Sequence, residues 1–357
     1  MTDDLLKSLL KMEQENAVLS ESPTDRCSLA DYSDIAQNGV WTKALQTALD
    51  AHRTVVVPPS DVPYIIDSSV VIPSDRTLVA YGATFALAPG TDVLMMRNEN
   101  PVDGTHLPVS STVRDRNITI LGATFDEMKP RRLGYGRSGR FSNDGSFPGV
   151  TCCLFFCNLD RLTLRDVTFR HCGGFGVQAG ELDNAVFRGI RFDDCFADGI
   201  HLCGNINNVL AVDISGSVGD DLVALNMYDW QNSSVNFGPG RNIWCEDISL
   251  DANGKYKAIR IEPGRYFFDD GTSVDCSLEN VMIKKVRGIR TCKMYMQTPP
   301  YRPGTQPERG GTGSARNVVF EDIDVDLTAP IDPFPVYSGG DPVRGACAAF
   351  ELGADID

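Results

Sequence analysis

Three aspartates occupy two short segments, Asp198 in Phe196-Ala197-Asp198-Gly199-Ile200 and the pair Asp220 and Asp221 in Gly219-Asp220-Asp221-Leu222. His201 follows the first of them and Arg260 lies further along the chain. Carboxyls held close together cannot all ionise at once, so one of them keeps its proton near neutral pH. A protonated carboxyl beside ionised ones is what general acid and base catalysis requires. The grouping rests on an alignment of four segments: Gly176-Val177-Gln178-Ala179, Gly199-Ile200-His201-Leu202, Asp221-Leu222-Val223-Ala224 and Ala258-Ile259-Arg260-Ile261. With Val177, Ile200, Leu222 and Ile259 pointing inward, Phe175, Asp198, Asp220 and Lys257 form one outward column, and Gln178, His201, Val223 and Arg260 a second. Singly, Asp-Gly and Gly-Asp-Asp are ordinary turn dipeptides. Corners have no reason to repel one another, however, and a face that collects three acids, a histidine and an arginine is a candidate site. His201 alone reads equally well as a solvated outward side chain. Arg260 presents a planar fork suited to orienting the acids or gripping a substrate oxygen. His52, His106 and His171 have no such company and read as structural.

The elements that must position these residues are written along the chain as a repeat. An Asn or Arg opens an alternating apolar strand, and an Asp, Gly or Lys opens a second. The copies include Asn117-Ile118-Thr119-Ile120 with Gly122-Ala123-Thr124-Phe125, Arg161-Leu162-Thr163-Leu164 with Asp166-Val167-Thr168-Phe169, and Asn184-Ala185-Val186-Phe187 with Gly189-Ile190-Arg191-Phe192. Four more begin at Asn208, Asn242, Asn280 and Asn317, with second corners at Asp213, Asp247, Lys285 and Asp322. The spacing corresponds to one coil of about 20 to 29 residues plus insertions. Alternation puts Leu162, Leu164, Val167 and Phe169 on one side and Thr163 and Thr168 on the other. One such unit cannot cover its own apolar face, whereas coils stacked in parallel give each strand a partner about 4.8 Å above and below. Asn suits the corner because it hydrogen-bonds backbone and tolerates left-handed geometry. The expected fold is all-β, a right-handed parallel β-helix. An antiparallel sandwich would show turns about every 8 to 12 residues and hairpin signals between strands.

Residues 1–50 read as an N-terminal helical segment and cap, and residues 51–357 as the β-helix. Leu5, Leu6, Leu9, Leu10 and Met12 recur at helical spacing behind Asp3 and Asp4, which suit a helix start. A second helical stretch, Trp41 to Ala51, runs into Thr54-Val55-Val56-Val57 and Tyr64-Ile65-Ile66, a helix and strands suited to capping an open solenoid end. Residues 126–150 and 298–315 are rich in Gly, Arg, Ser and Pro and read as long loops, the usual walls of a binding site. The eleven cysteines lack the spacing of a disulfide framework, and Cys172 and Cys195 are expected to stack as reduced core residues. Cys152, Cys153 and Cys157 have no His cluster with which to bind zinc. The net charge of −15 argues against nucleic acid or an anionic membrane as a broad-surface partner. No apolar run is long enough to span a bilayer. Met1-Thr2-Asp3-Asp4 lacks the features of a secretory signal, so a cytoplasmic address is expected. A homo-oligomer is compatible with the sequence but not specified by it.

Phe196-Ala197-Asp198-Gly199-Ile200, Gly219-Asp220-Asp221-Leu222-Val223-Ala224-Leu225-Asn226 and Ile259-Arg260-Ile261-Glu262 resemble, in order and coil spacing, the signature segments of glycoside hydrolase family 28, the polygalacturonase-like enzymes. The Thr54 to Ile66 region resembles the opening of many pectate-lyase-like β-helices. The resemblance implies an inverting glycosidase with Asp221 as general acid and Asp198 and Asp220 activating water. Gln178, His201, Asn226, Lys257, Arg260 and Glu262 would line the substrate subsites, with no metal or cofactor. An inverting pair needs about 6.5 to 9.5 Å between acid and base, which implies a diagonal arrangement across the strip. The departures are specific. The family's Asn-Thr before the first Asp is Phe196-Ala197, its His-Gly segment after the acid pair is missing, and its Arg-Ile-Lys is Arg260-Ile261-Glu262. A Glu where the family's Lys holds a uronate carboxylate would repel that group, so a neutral or differently charged oligosaccharide suits the site better, with Lys257 or Arg265 as replacement cations.

Two other classes remain open on sequence. A β-helix lyase, epimerase or fructan transferase shares the scaffold, and fold does not separate them. A non-catalytic carbohydrate-binding trimer would need aromatic platforms, for which Tyr228, Trp230, Tyr256, Tyr266 and Tyr295 are the candidates.

Overall fold

The computed structural model describes residues 2–20, 25–91, 93–101, 113–128, 152–229, 235–251, 257–268, 270–289, 292–294, 310–311, 313–325 and 350–352. Two backbone positions recur in every coil and turn the chain. The first corner is left-handed at Asn117, Arg161, Asn184, Asn208, Asn242, Asn280 and Asn317, with φ between 51° and 66°. The second is left-handed at Gly122, Asp166, Gly189, Asp213, Asp247, Lys285 and Asp322. Gly and short polar residues enter this region most cheaply, which explains why Asn, Asp and Gly fill these corners except at Arg161 and Lys285. From corner to corner the strands run parallel and in register. Leu162, Ala185, Val209, Ile243, Val281 and Val318 form one inward row through successive coils. The result is the parallel β-helix expected from the repeat.

The inward rows make one continuous core. Phe85, Phe125, Phe169 and Phe192 stack within it at centroid distances of 5.5, 5.8 and 5.1 Å. Cys172 and Cys195 are buried free thiols whose pKa values burial pushes up. A ladder of side-chain amides lines the first corner, each Nδ2 donating to the preceding coil. Asn208 donates to Asn184 (3.0 Å), Asn242 to Asn208 (3.3 Å), Asn280 to Asn242 (3.2 Å) and Asn317 to Asn280 (3.1 Å).

The two helices take different places. Helix α2 (Thr42–Ala51) inserts Ala44, Leu45, Ala48 and Leu49 into the core at the first coils, beside Leu29 and Val70. Helix α1 (Thr2–Ser20), which the sequence grouped with the cap, instead lies along the outside of a sheet. Its Leu9 and Met12 pack on Val186, Leu210, Trp244 and Met282, an apolar column on the outward side of the first strand in successive coils. Glu13 fixes it further, bridging Arg165 at 2.7 Å and Arg188 at 2.6 and 2.8 Å, and Asn16 Nδ2 donates to Asn184 O. Most of both long loops lies outside the described residues. Within the second, Gly310–Gly311 pairs antiparallel with Arg265 and Tyr266, a small sheet completed by Ser273–Cys276.

Asn208→Ala should lose about 1 to 2 kcal/mol in urea unfolding, because alanine strains at φ 57° and the ladder loses the bonds to Asn184 and from Asn242. Asn208→Gly should lose less; equal losses would mean that the amide bond alone holds the corner. Burial pushes the Glu13 carboxyl up, but Arg188 and Arg165 outweigh it, and the net pKa is lowered. A depressed carboxyl contributes stability that is complete above its unfolded pKa and is lost as pH falls through the folded one. Protease nicking of α1 should therefore rise on acidification below the usual glutamate range, and Glu13→Gln should show that susceptibility already at neutral pH.

Candidate functional site

The site lies on the outward face of the third strand of four successive coils. Strands Phe175–Cys195 (its first part), Ile200–Cys203, Asp221–Asn226 and Lys257–Glu262 pair in parallel, with Val177, Ile200, Val223 and Ile259 as the inward row. The sequence alignment is therefore one residue out in its third segment. Val223 takes the inward place assigned to Leu222, and Ala224, not Val223, stands between His201 and Arg260 in the outward column. The same shift puts Asp221, not Asp220, in line with Asp198 and Lys257: the Asp221 N–H donates to Asp198 Oδ1 at 3.0 Å, and Asp221 pairs with Lys257 along the strand. The reason is physical. Leu222-Val223-Ala224-Leu225 is apolar throughout and buried on both sides, so period-2 alternation carries no register there. Asp220 sits one position earlier, at the corner, its N–H directed to Ala197 O at 3.4 Å. The three acids nonetheless converge, and one carboxylate oxygen from each lies within 4.8 Å of the others.

An open surface strip was expected; the acids are buried instead. Asp198 is 2% exposed, His201 1%, and Asp221 and Glu262 0%. Leu94, Cys152, Phe155, Cys157, Phe175, Ala197, Cys203 and Val235 form a second apolar cluster outside the coil, beside the site. In these surroundings each charge needs a partner. His201 Nδ1 lies 2.6 Å from Asp198 Oδ2, and the Phe175 ring stacks on the imidazole at 4.2 Å. Gln178, one coil above His201, donates from Nε2 to Cys203 Sγ at 3.7 Å. Arg260 reaches Glu262 Oε1 at 2.8 Å and Asp221 Oδ2 at 3.5 Å. The Glu262 expected to face substrate is thus held by the arginine next to it, and that arginine is already engaged by two carboxylates. Asn226 Nδ2 donates to Asp229 Oδ2 at 3.1 Å. Asp229 escaped the sequence analysis; it follows its strand in a short turn, where nothing in the repeat marks it.

Burial pushes the Asp198 carboxyl above its usual range, against the hydrogen bond from His201 and with the help of the Asp220 charge. Burial also works against the His201 imidazolium. Cys203 beside it and the Asp198 carboxylate outweigh that, and hold its proton well above the usual histidine range. Burial thus opposes ionisation of Asp198, while the neighbouring imidazolium is held by Cys203 and Asp198.

His171 and His52 lie apart from this cluster and contact Asp126 and Asp25, each at 3.0 Å. His106 lies outside the described residues, as do Trp230, Tyr256 and Tyr295 and the side chain of Lys257. Tyr228 and Tyr266 are core residues, 2% and 4% exposed, and so are not sugar platforms.

No family model matches the chain, and no curated protein matches it. Among solved structures it is similar to a polygalacturonase from Erwinia carotovora ssp. carotovora, with 13% identity, 82% of this chain and 78% of that chain covered, and a TM-score of 0.46. The A-module of the mannuronan C-5 epimerase AlgE4 of Azotobacter vinelandii gives 14%, 86%, 98% and 0.34. PfbA, a surface adhesin of Streptococcus pneumoniae, gives 11%, 83%, 77% and 0.42. A hydrolase, an epimerase and an adhesin at such distances select no chemistry for this site.

The Asp198-Gly199 dipeptide owes its glycine to close packing between coils, not to a left-handed turn. A Cβ at Gly199 would stand 2.6 Å from Leu222 O and 2.8 Å from the Phe192 ring. Gly199→Ala should cost about 1 to 3 kcal/mol in urea unfolding. Wild-type stability in that variant would contradict the packing of these coils.

Proposed function

We propose that this strip is the active site of a glycoside hydrolase acting on an oligosaccharide. The observation that carries the reading is the convergence of Asp198, Asp220 and Asp221 within 4.8 Å in buried surroundings. Asp221 is the general acid that protonates the leaving oxygen. Asp198 and Asp220 activate the attacking water from the other side, and the anomeric centre inverts. The pairing of Arg260 with Glu262 and Asp221 leaves that guanidinium poorly placed to hold a uronate carboxylate, which favours a neutral sugar. The burial of the acids favours a chain end over the middle of a polymer. A retaining reading is favoured by one measurement: the oxygens lie closer than the about 6.5 to 9.5 Å expected for inversion and nearer the about 5 to 5.5 Å of a nucleophile and its acid.

A panel of uronic, neutral and fructan oligosaccharides, followed by reducing ends and by absorbance of unsaturated products, tests the reading. New reducing ends from a neutral substrate are expected, with kcat lowered roughly 10²- to 10⁴-fold in Asp221→Asn at unchanged melting temperature. Unsaturated product would make the enzyme a lyase, and silence across the panel would favour a binding protein. Proton NMR of the first product should show the inverted anomer; the retained one would give one aspartate the role of nucleophile.

A further inference from the structure

Asp229, which the hydrolytic roles above do not use, faces the ring of His201 from the side opposite Asp198. Its Oδ2 lies 3.5 Å from His201 Nε2, while Asp198 Oδ2 lies 2.6 Å from Nδ1. Both carboxylates are nearly inaccessible to water, as is the imidazole, and Phe175 stacks on the ring with an interplanar angle of 12°. An ionised carboxylate only accepts hydrogen bonds, and a neutral imidazole has a single N–H. A neutral His201 would therefore turn a bare lone pair towards one of the two carboxylates, in surroundings where such repulsion is poorly screened. With both carboxyls ionised, the form that suits both is the doubly protonated ring, hydrogen-bonded to Asp198 and ion-paired with Asp229. Asn226 secures the second carboxylate: its Nδ2 donates to Asp229 Oδ2 at 3.1 Å.

We propose that Asp229 is a positioning residue, which with Asp198 clamps His201 as a fixed imidazolium and through that ring sets the orientation of the Asp198 carboxylate. The charged and titratable groups around the ring are Asp198 from the corner before its strand, Asp220 beyond it, Asp229 from the turn after Asp221–Asn226, and Cys203 on its own strand. Neutral Gln178 stands one coil above, and Arg260 lies further along the same outward column. Held this way, His201 is not a general base. It donates to one Asp198 oxygen while Asp221 N–H donates to the other, so that carboxylate cannot rotate. The catalytic consequence rests on the hydrolytic reading; the clamp itself does not.

The chain has four histidines, which makes nitrogen-15 NMR of the imidazole rings across a pH series a direct test on the intact protein. Loss of one ring's signals in His201→Gln assigns the resonance. The expected wild-type result is a His201 protonated on both nitrogens through neutral pH. Asp229→Asn should move its titration at least about one pH unit lower, a roughly tenfold loss of proton affinity, and Asp229→Glu should restore it. A wild-type His201 with one protonated nitrogen at neutral pH would overturn the proposal, and so would an unchanged midpoint in a folded Asp229→Asn. The wild-type spectrum decides alone if that variant does not fold. None of this needs a substrate, so silence in the oligosaccharide panel would remove the hydrolase reading and leave the clamp standing. If the panel identifies a substrate, the basic limb of kcat/KM should fall at lower pH in Asp229→Asn than in wild type.

Discussion

The left-handed corner is the constraint on which the rest of the molecule depends. Each coil turns at two residues of positive φ, and because the corners stack, every strand between them inherits the register of the one below. Stacked Asn side chains tie one corner column together, and Phe85, Phe125, Phe169 and Phe192 fill the space within. A slip of one residue in any coil would turn inward rows outward and lose both ladders. Residues far apart in sequence, such as Asp198, Asp221 and Arg260, thereby become neighbours with little freedom to move apart.

That rigidity is then used against an electrostatic cost. Asp198, Asp220, Asp221, Asp229 and Glu262 occupy one covered strip, where burial alone would protonate or expel them. The strip answers with fixed partners: His201 between Asp198 and Asp229, Arg260 between Asp221 and Glu262, and the Asp221 N–H on Asp198. Such a network stabilises little in total, since desolvation offsets attraction. Its contribution is to fix the orientation of each carboxylate and to hold His201 between two of them.

The outer faces show a second use of the same scaffold. Val186, Leu210, Trp244 and Met282 point away from the core and would be an exposed apolar stripe but for α1, which lies over them and is held by Glu13. On the third strand, a comparable outward cluster around Phe155 and Phe175 lies beside the acids and keeps them from water. One helix therefore shields an apolar outward column, while the cluster of buried acids lies on another face.

The sequence by itself determined the coil, because corner chemistry and period-2 alternation are local: an Asn or Gly at positive φ and an apolar residue at every second position announce themselves without reference to the rest of the chain. It also marked the three aspartates, His201 and Arg260 as belonging together, since they recur at coil spacing. Only the tertiary structure decided the register of Leu222-Val223-Ala224-Leu225, because a run that is apolar on both faces fits either alignment until its neighbours are in place. Asp229, and the pairing of Glu262 with Arg260, were likewise beyond sequence. A turn residue's direction and a buried ion pair's partner depend on which side chains the stacked coils bring within hydrogen-bond reach, and no local pattern encodes that.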